Sequence, residues 1–192
     1  MRLLFSVLVA LAALASTAAA AVQLQVDASA IEKLLKAQAF RDGGKWRLGK
    51  SGKCNNPYLE HPSVTIRQGR LFIRAHFAGR MGSEVMGSCV SMGEPSWLTV
   101  SGRPVVDGQM LSIGEVRVDE VEKPSIRPLA VGLLESATRS ALKIDLQNMV
   151  RSLVAPANTA PYLVDISGLN MMLMQADQNR LRFSLDFGVA VR

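Results

Sequence analysis

Between Pro124 and Pro156 the chain carries one long helical pattern, PSIRPLAVGLLESATRSALKIDLQNMVRSLVAP, in which Glu135, Arg139, Lys143, Gln147 and Arg151 recur every four residues. An α-helix turns every ~3.6 residues, so a spacing of four drifts by about 40° per step and the apolar surface spirals. Leu129, Leu133, Leu134, Ala137 and Ala141 start on one side, and Leu142, Leu146, Met149, Val150 and Leu153 have moved round the cylinder. Such a helix suits a partner that wraps it, and about 26 helical residues reach about 39 Å. The spacing therefore predicts an α+β fold in which a strongly twisted antiparallel sheet wraps one long C-terminal helix, with a short N-terminal helix besides. The same residues also fit two shorter helices that meet near Lys143 to Asp145, each with its own core face.

Compartment is read from residues 1–20. Arg2 supplies a positive n-region, LLFSVLVALAALA an apolar stretch, and Ala18, Ala19 and Ala20 a small-residue cleavage site, the pattern of a secretory signal peptide. Residues 21–192 then form a single domain in the periplasm, cleaved near Ala20, and no second apolar run approaches the roughly 18 to 20 residues that span a bilayer.

An exported chain meets oxidising conditions. Cys54 and Cys89 are its two cysteines, and the simplest outcome is one disulfide. Its closure restricts the unfolded chain by about 4 kcal/mol in the loop-entropy picture. A metal pair is the competing reading, but His61 and His76 are the only histidines and no zinc-type Cys/His cluster can be assembled. No cofactor or metal is expected.

The formal net charge is +6 and it is unevenly placed. From position 41 to 80 the cations are Arg41, Lys45, Arg47, Lys50, Lys53, Arg67, Arg70, Arg74 and Arg80, against Asp42 and Glu60. In an envelope this suggests an anionic membrane surface, met through Arg67, Arg70 and Arg74, rather than nucleic acid. A solvated face that merely aids solubility is the plainer reading.

Hairpins account for most of the remaining chain. Residues 22–26 alternate as a short strand, and Ser29 with Glu32 reads as a capping box opening a helix that carries Ile31, Leu34, Leu35 and Gln38. Residues 63–67 and 70–77 alternate about Gln68-Gly69, with Leu71, Ile73, Ala75 and Phe77 on one face. His76, on the other, reads as a surface residue. Residues 81–95, rich in Gly, Ser and Met, read as an irregular connection or bulged strand held by the disulfide. Asp107-Gly108 is a strong hairpin signal between residues 97–106 and 109–121. A last hairpin joins 162–175 to 181–191, whose Leu181, Phe183, Leu185, Phe187, Val189 and Val191 face one way.

Its first strand breaks the alternation. Leu169, Met171, Met172, Leu173 and Met174 offer apolar groups to both faces, which fits a sheet covered on both sides or one facing an apolar ligand cavity. Methionine adapts to varied apolar shapes, so Leu142, Leu146, Met149, Met172 and Met174 are the candidate lining of a ligand groove; core filling is the competing reading.

The order of elements, with the strand 110–121, the helical stretch, Pro161-Tyr162-Leu163-Val164 and the closing strand pair, resembles the bacterial DUF1439 family. That family is similar in turn to the tubular lipid-binding (TULIP) superfamily, in which a curved sheet wraps a long helix and apolar ligands lie between them. The resemblance implies a periplasmic carrier of a lipid or other apolar small molecule. Two features depart from it: no lipobox cysteine is present, so membrane anchoring does not carry over, and the Cys54/Cys89 pair lies outside the family pattern. No G-x-S-x-G, H-E-x-x-H or phosphate-cradling loop occurs, which argues against an enzyme. The alternative function is a non-enzymatic envelope structural or interaction protein with a packed core that docks on anionic membrane or a partner protein.

Overall fold

Alternating strands closed by two-residue turns set the architecture. The computed structural model describes residues 22–49, 52–92, 94–141, 143–154 and 164–191. Strand β1 (Val22–Asp27) leads into helix α1 (Ala28–Gln38), and β2 (Lys45–Arg47), β3 (Tyr58–Arg67) and β4 (Arg70–Ala78) follow. A small ribbon of β5 (Met81–Val85) and β6 (Ser88–Met92) precedes the long pair β7 (Ser96–Asp107) and β8 (Met110–Val121). Helix α2 (Arg127–Ala141), the short β9 (Lys143–Asp145) and helix α3 (Leu146–Val154) come next, and β10 (Val164–Asp177) and β11 (Arg180–Val191) close the described chain.

The strands make a six-stranded sheet in the order β2-β3-β4-β7-β8-β9, a three-stranded sheet in the order β1-β11-β10, and the separate β5-β6 ribbon. Their inward rows meet in one core: Leu71, Ile73, Ala75 and Phe77 of β4 and Leu181, Phe183 and Leu185 of β11 are all buried, as their period-2 spacing predicts. The turns that join each sheet's hairpin also tie the two sheets together. Gly69 N–H donates to the Ala176 carbonyl at 2.8 Å and Asn179 N–H to the Ile66 carbonyl at 2.8 Å. Gln68 and Gly69 (φ 52° and 72°) and Gln178 and Asn179 (φ 49° and 61°) all take the left-handed conformation that twisted two-residue hairpins require.

The expected long C-terminal helix, and with it the sheet wrapped around that helix, is not formed. Strands hold most of the described residues, and a strand interrupts the helical run at Lys143–Asp145. Two forces outweigh the helical pattern there. The free edge of β8 at Met110, Leu111 and Ser112 takes up Asp145, Ile144 and Lys143 as antiparallel partners, which buries the β-branched Ile144. Asp145 then starts a new helix, because its Oδ1 accepts the Asn148 N–H at 2.9 Å. The two shorter helices each keep an ordinary inward face, with Leu134 and Thr138 in α2 and Leu146 and Val150 in α3.

Two smaller expectations also change. Helix α1 opens after Asp27, so Ser29 does not cap it; Glu32 instead reaches across to β3, where its Oε2 accepts the Val64 N–H at 3.2 Å. Residues 81–85 and 88–92 are a regular ribbon.

Candidate functional site

At one end of the six-stranded sheet the chain leaves β4 through Gly79, whose φ of +94° and lack of a side chain let the loop of residues 52–57 pass against it. Asn56 N–H donates to the Arg80 carbonyl at 2.7 Å and Asn56 Oδ1 accepts the Arg80 N–H at 3.0 Å. The disulfide between Cys54 and Cys89, with a Cα–Cα distance of 5.3 Å, fastens the β5-β6 ribbon to that loop. Lys53 adds an ion pair to Glu84 at 3.0 Å.

The ribbon's register fixes which side chains face outward. Glu84 opposes Cys89, and both point to the loop; their neighbours Val85, Ser88 and Val90 lie on the opposite face. Val85 is 51% exposed, Val90 57% and Met86, at the tip, fully exposed. Met86 and Gly87 form the turn with φ of 49° and 79°. A left-handed backbone costs an L-residue with a bulky side chain about 1–2 kcal/mol, and Asn, Asp or Gly is the usual choice. The Met86 side chain is fully exposed and packs against nothing in the fold.

The segments that meet here are basic on balance. In residues 41–60 and 79–90 the described charges are Arg41, Lys45, Arg47, Lys53 and Arg80 against Asp42, Glu60 and Glu84. Arg47 holds Asp42 at 2.6 Å, and Lys45 lies 4.4 Å above the Tyr58 ring. The result is an apolar tip on a basic base.

Of the candidate groove residues, the four described ones divide between core and surface. Leu146 is buried to 1% and Met149 packs against the same core, whereas Met172 and Met174 are 65% and 64% exposed. Strand β10 in fact alternates: Leu169 and Met171 point inward and Met172 outward, until a bulge between Leu173 and Gln175 shifts the register. Leu142 lies outside the described residues, as do residues 1–20. Between α1, β4, β7, β8, β9 and β11, the cavity lined by Ile31, Leu71, Ile113, Ile144 and Leu181 measures about 10 Å³, room for one water at most.

Arg67, Arg70 and Arg74 do share the outer face of the six-stranded sheet, but their surroundings differ. Arg70 is enclosed: its Nε donates to Ser101 Oγ at 3.1 Å, its Nη2 to the Glu115 carbonyl at 2.9 Å, and the Glu115 carboxylate lies at 3.7 Å. Arg67 and Arg74 rest instead on the rings of Phe72 and Trp97, at 4.5 and 4.6 Å. His76 is paired with Glu60 at 3.0 Å.

Sequence reasoning passed over Met86. The signal lay in Met86-Gly87, a hairpin-type dipeptide whose first position is filled by an unexpected residue. Among the described residues no group of three His, Cys, Asp or Glu side chains could hold a metal, and no helix is long and apolar enough to cross a membrane. Comparison with protein-family models and with curated proteins finds no match.

Proposed function

We propose that this chain is an exported, non-enzymatic envelope protein that docks on an anionic lipid surface through the β5-β6 ribbon and the cations at its base. The observation that carries the reading is Met86, fully exposed on a left-handed turn beside Val85 and Val90. Complete burial of a Val or Met side chain contributes about 1.5–3 kcal/mol, and each Lys or Arg near an anionic leaflet about 1 kcal/mol. Partial insertion of three such residues with a few cations yields reversible binding, in keeping with a peripheral protein. The disulfide supports this role by tethering the ribbon to the loop of residues 52–57, which reduces the ordering entropy that opposes insertion. The core around Ile31, Leu71, Ile113, Ile144 and Leu181, with about 10 Å³ free, favours this reading over storage of a lipid in that part of the molecule.

Co-sedimentation with vesicles tests it. The protein should bind vesicles containing phosphatidylglycerol, release with salt, and bind phosphatidylcholine vesicles weakly. Met86→Asp should lower binding at least about tenfold without lowering the thermal unfolding temperature, since the side chain touches nothing in the fold and Asp suits the left-handed turn better. Absence of binding to either vesicle, or equal binding by the variant, would overturn the reading.

A further inference from the structure

On the outer face of the six-stranded sheet, two neighbouring cross-strand rows build a second feature. One row runs Arg74, Thr99, Glu120 across β4, β7 and β8; the next runs His76, Trp97 and on to Glu122. Arg74, Trp97, Thr99, Glu120 and Glu122, with Leu98 and Val121, line an open groove of about 250 Å³. That is just below the roughly 300–1,000 Å³ of pockets for drug-sized ligands, and so suits a smaller molecule.

Opposite charges face each other across the groove without meeting. Arg74 and Glu120 stand two strands apart, about 10 Å between backbones, and Arg74 lies over Trp97. Among the described residues Arg74 has no carboxylate partner, and stacking leaves the N–H edge of its guanidinium able to bind a planar anion. On the far wall the carboxylates are already aimed. Thr99 Oγ1 donates to Glu120 Oε2 at 3.1 Å and the backbone N–H of Trp97 to Glu122 Oε2 at 3.2 Å, leaving Oε1 of each without a partner among the described residues. Held acceptors of this kind lose little freedom when a cationic donor arrives.

We propose that this groove binds the zwitterion of a short peptide of dipeptide length, its carboxylate on Arg74, its ammonium on Glu120 and Glu122, and its side chains along Trp97. An extended dipeptide spans about 7 Å, which bridges the two walls once their side chains reach inward. A purely anionic ligand would meet two carboxylates and a purely cationic one would meet the guanidinium, so the groove discriminates by requiring both charges at a fixed separation.

The two indole N–H signals, from Trp46 and Trp97, report on binding in a proton–nitrogen NMR spectrum. Glycyl-leucine, alanyl-phenylalanine and leucyl-leucine are each titrated to about 10 mM, with N-acetylated and amidated forms as controls. At least one dipeptide should shift the Trp97 signal saturably and leave Trp46 unmoved, and either cap should weaken it about tenfold. Arg74→Met keeps the aliphatic stem on Trp97 and should abolish the difference between free and amidated peptide; Glu120→Gln with Glu122→Gln should abolish that between free and acetylated peptide. Failure of all three dipeptides to shift Trp97, or binding that ignores the caps, overturns the proposal. Retained thermal unfolding of the variants separates lost binding from lost fold.

Discussion

Asp145 Oδ1 accepts the backbone N–H of Asn148 at 2.9 Å while Asp145 Oδ2 accepts from the Asn148 side chain at 2.7 Å. One residue thereby ends β9 and begins α3. The carboxylate satisfies an N–H that the first turn of any helix leaves open, and its charge suits the positive helix start. Asp145→Ala should cost about 1 kcal/mol in urea unfolding, and Asp145→Asn clearly less, because the amide oxygen still accepts. Equal losses for both would mean that the hydrogen bond contributes nothing beyond charge.

Glu32 links α1 to its own next turn and to β3. The Lys36 ammonium, hydrogen-bonded to it at 2.7 Å, holds its carboxyl below the usual carboxylate range; the Val64 N–H helps, and burial works the other way. A depressed folded value means that the carboxylate stabilises the fold above about pH 4.3, and that this contribution fades as pH falls through the lowered value. The gap in stability between wild type and Glu32→Gln should therefore be present at pH 7, within about 1 kcal/mol, and close in acid. Urea midpoints measured from pH 7 to pH 3 decide it; a gap that widens in acid would contradict the sign.

Gly102 sits at a register shift where β7 crosses β8, and a Cβ there would run into Ile113 Cγ2 and lie 2.9 Å from the Gly114 carbonyl oxygen. Backbone cannot give way cheaply in a closed ladder. Gly102→Ala should destabilise by about 1–3 kcal/mol through overpacking. Gly132→Ala, in the open on α2, should be neutral or stabilising, and thermal unfolding of the pair makes the comparison.

Hairpins were legible because their signals are local. Gln68-Gly69 and Asp107-Gly108 sit between alternating runs, and the inward rows Leu71 to Phe77 and Leu181 to Leu185 are buried as their spacing says. The split helix was legible only as the alternative of two shorter helices meeting near Lys143 to Asp145; what selects it over one long helix lies 33 residues away in sequence, where β8 lacks a partner at Leu111 until Ile144 supplies one. Nor could the sequence tell Met171 from Met172, since methionine suits core and surface alike; only the register against Leu185 and Ser184 assigns one to each face. Both proposed sites depend on the same kind of long-range placement. Arg74, Thr99 and Glu120 come from three strands, and Val85 and Val90 face outward on the ribbon opposite to Cys89, which is turned to Cys54.

Leu146 tests whether the interior is packed or holds a ligand. It opens α3 with its N–H donated to the Gln109 carbonyl at 2.9 Å, and its side chain is buried to 1% among the core residues that include Ile144 and Val150. In a packed core, Leu146→Ala removes contacts and leaves a void, at a cost of about 2–5 kcal/mol. A mobile apolar ligand beside it would shift into the vacancy and reduce that loss. The packing around Leu146 predicts the full core-type loss, with no lipid recovered by organic extraction of natively purified protein. A loss below about 1 kcal/mol together with extractable lipid would make the protein a carrier and move the lipid from the ribbon's tip to the interior.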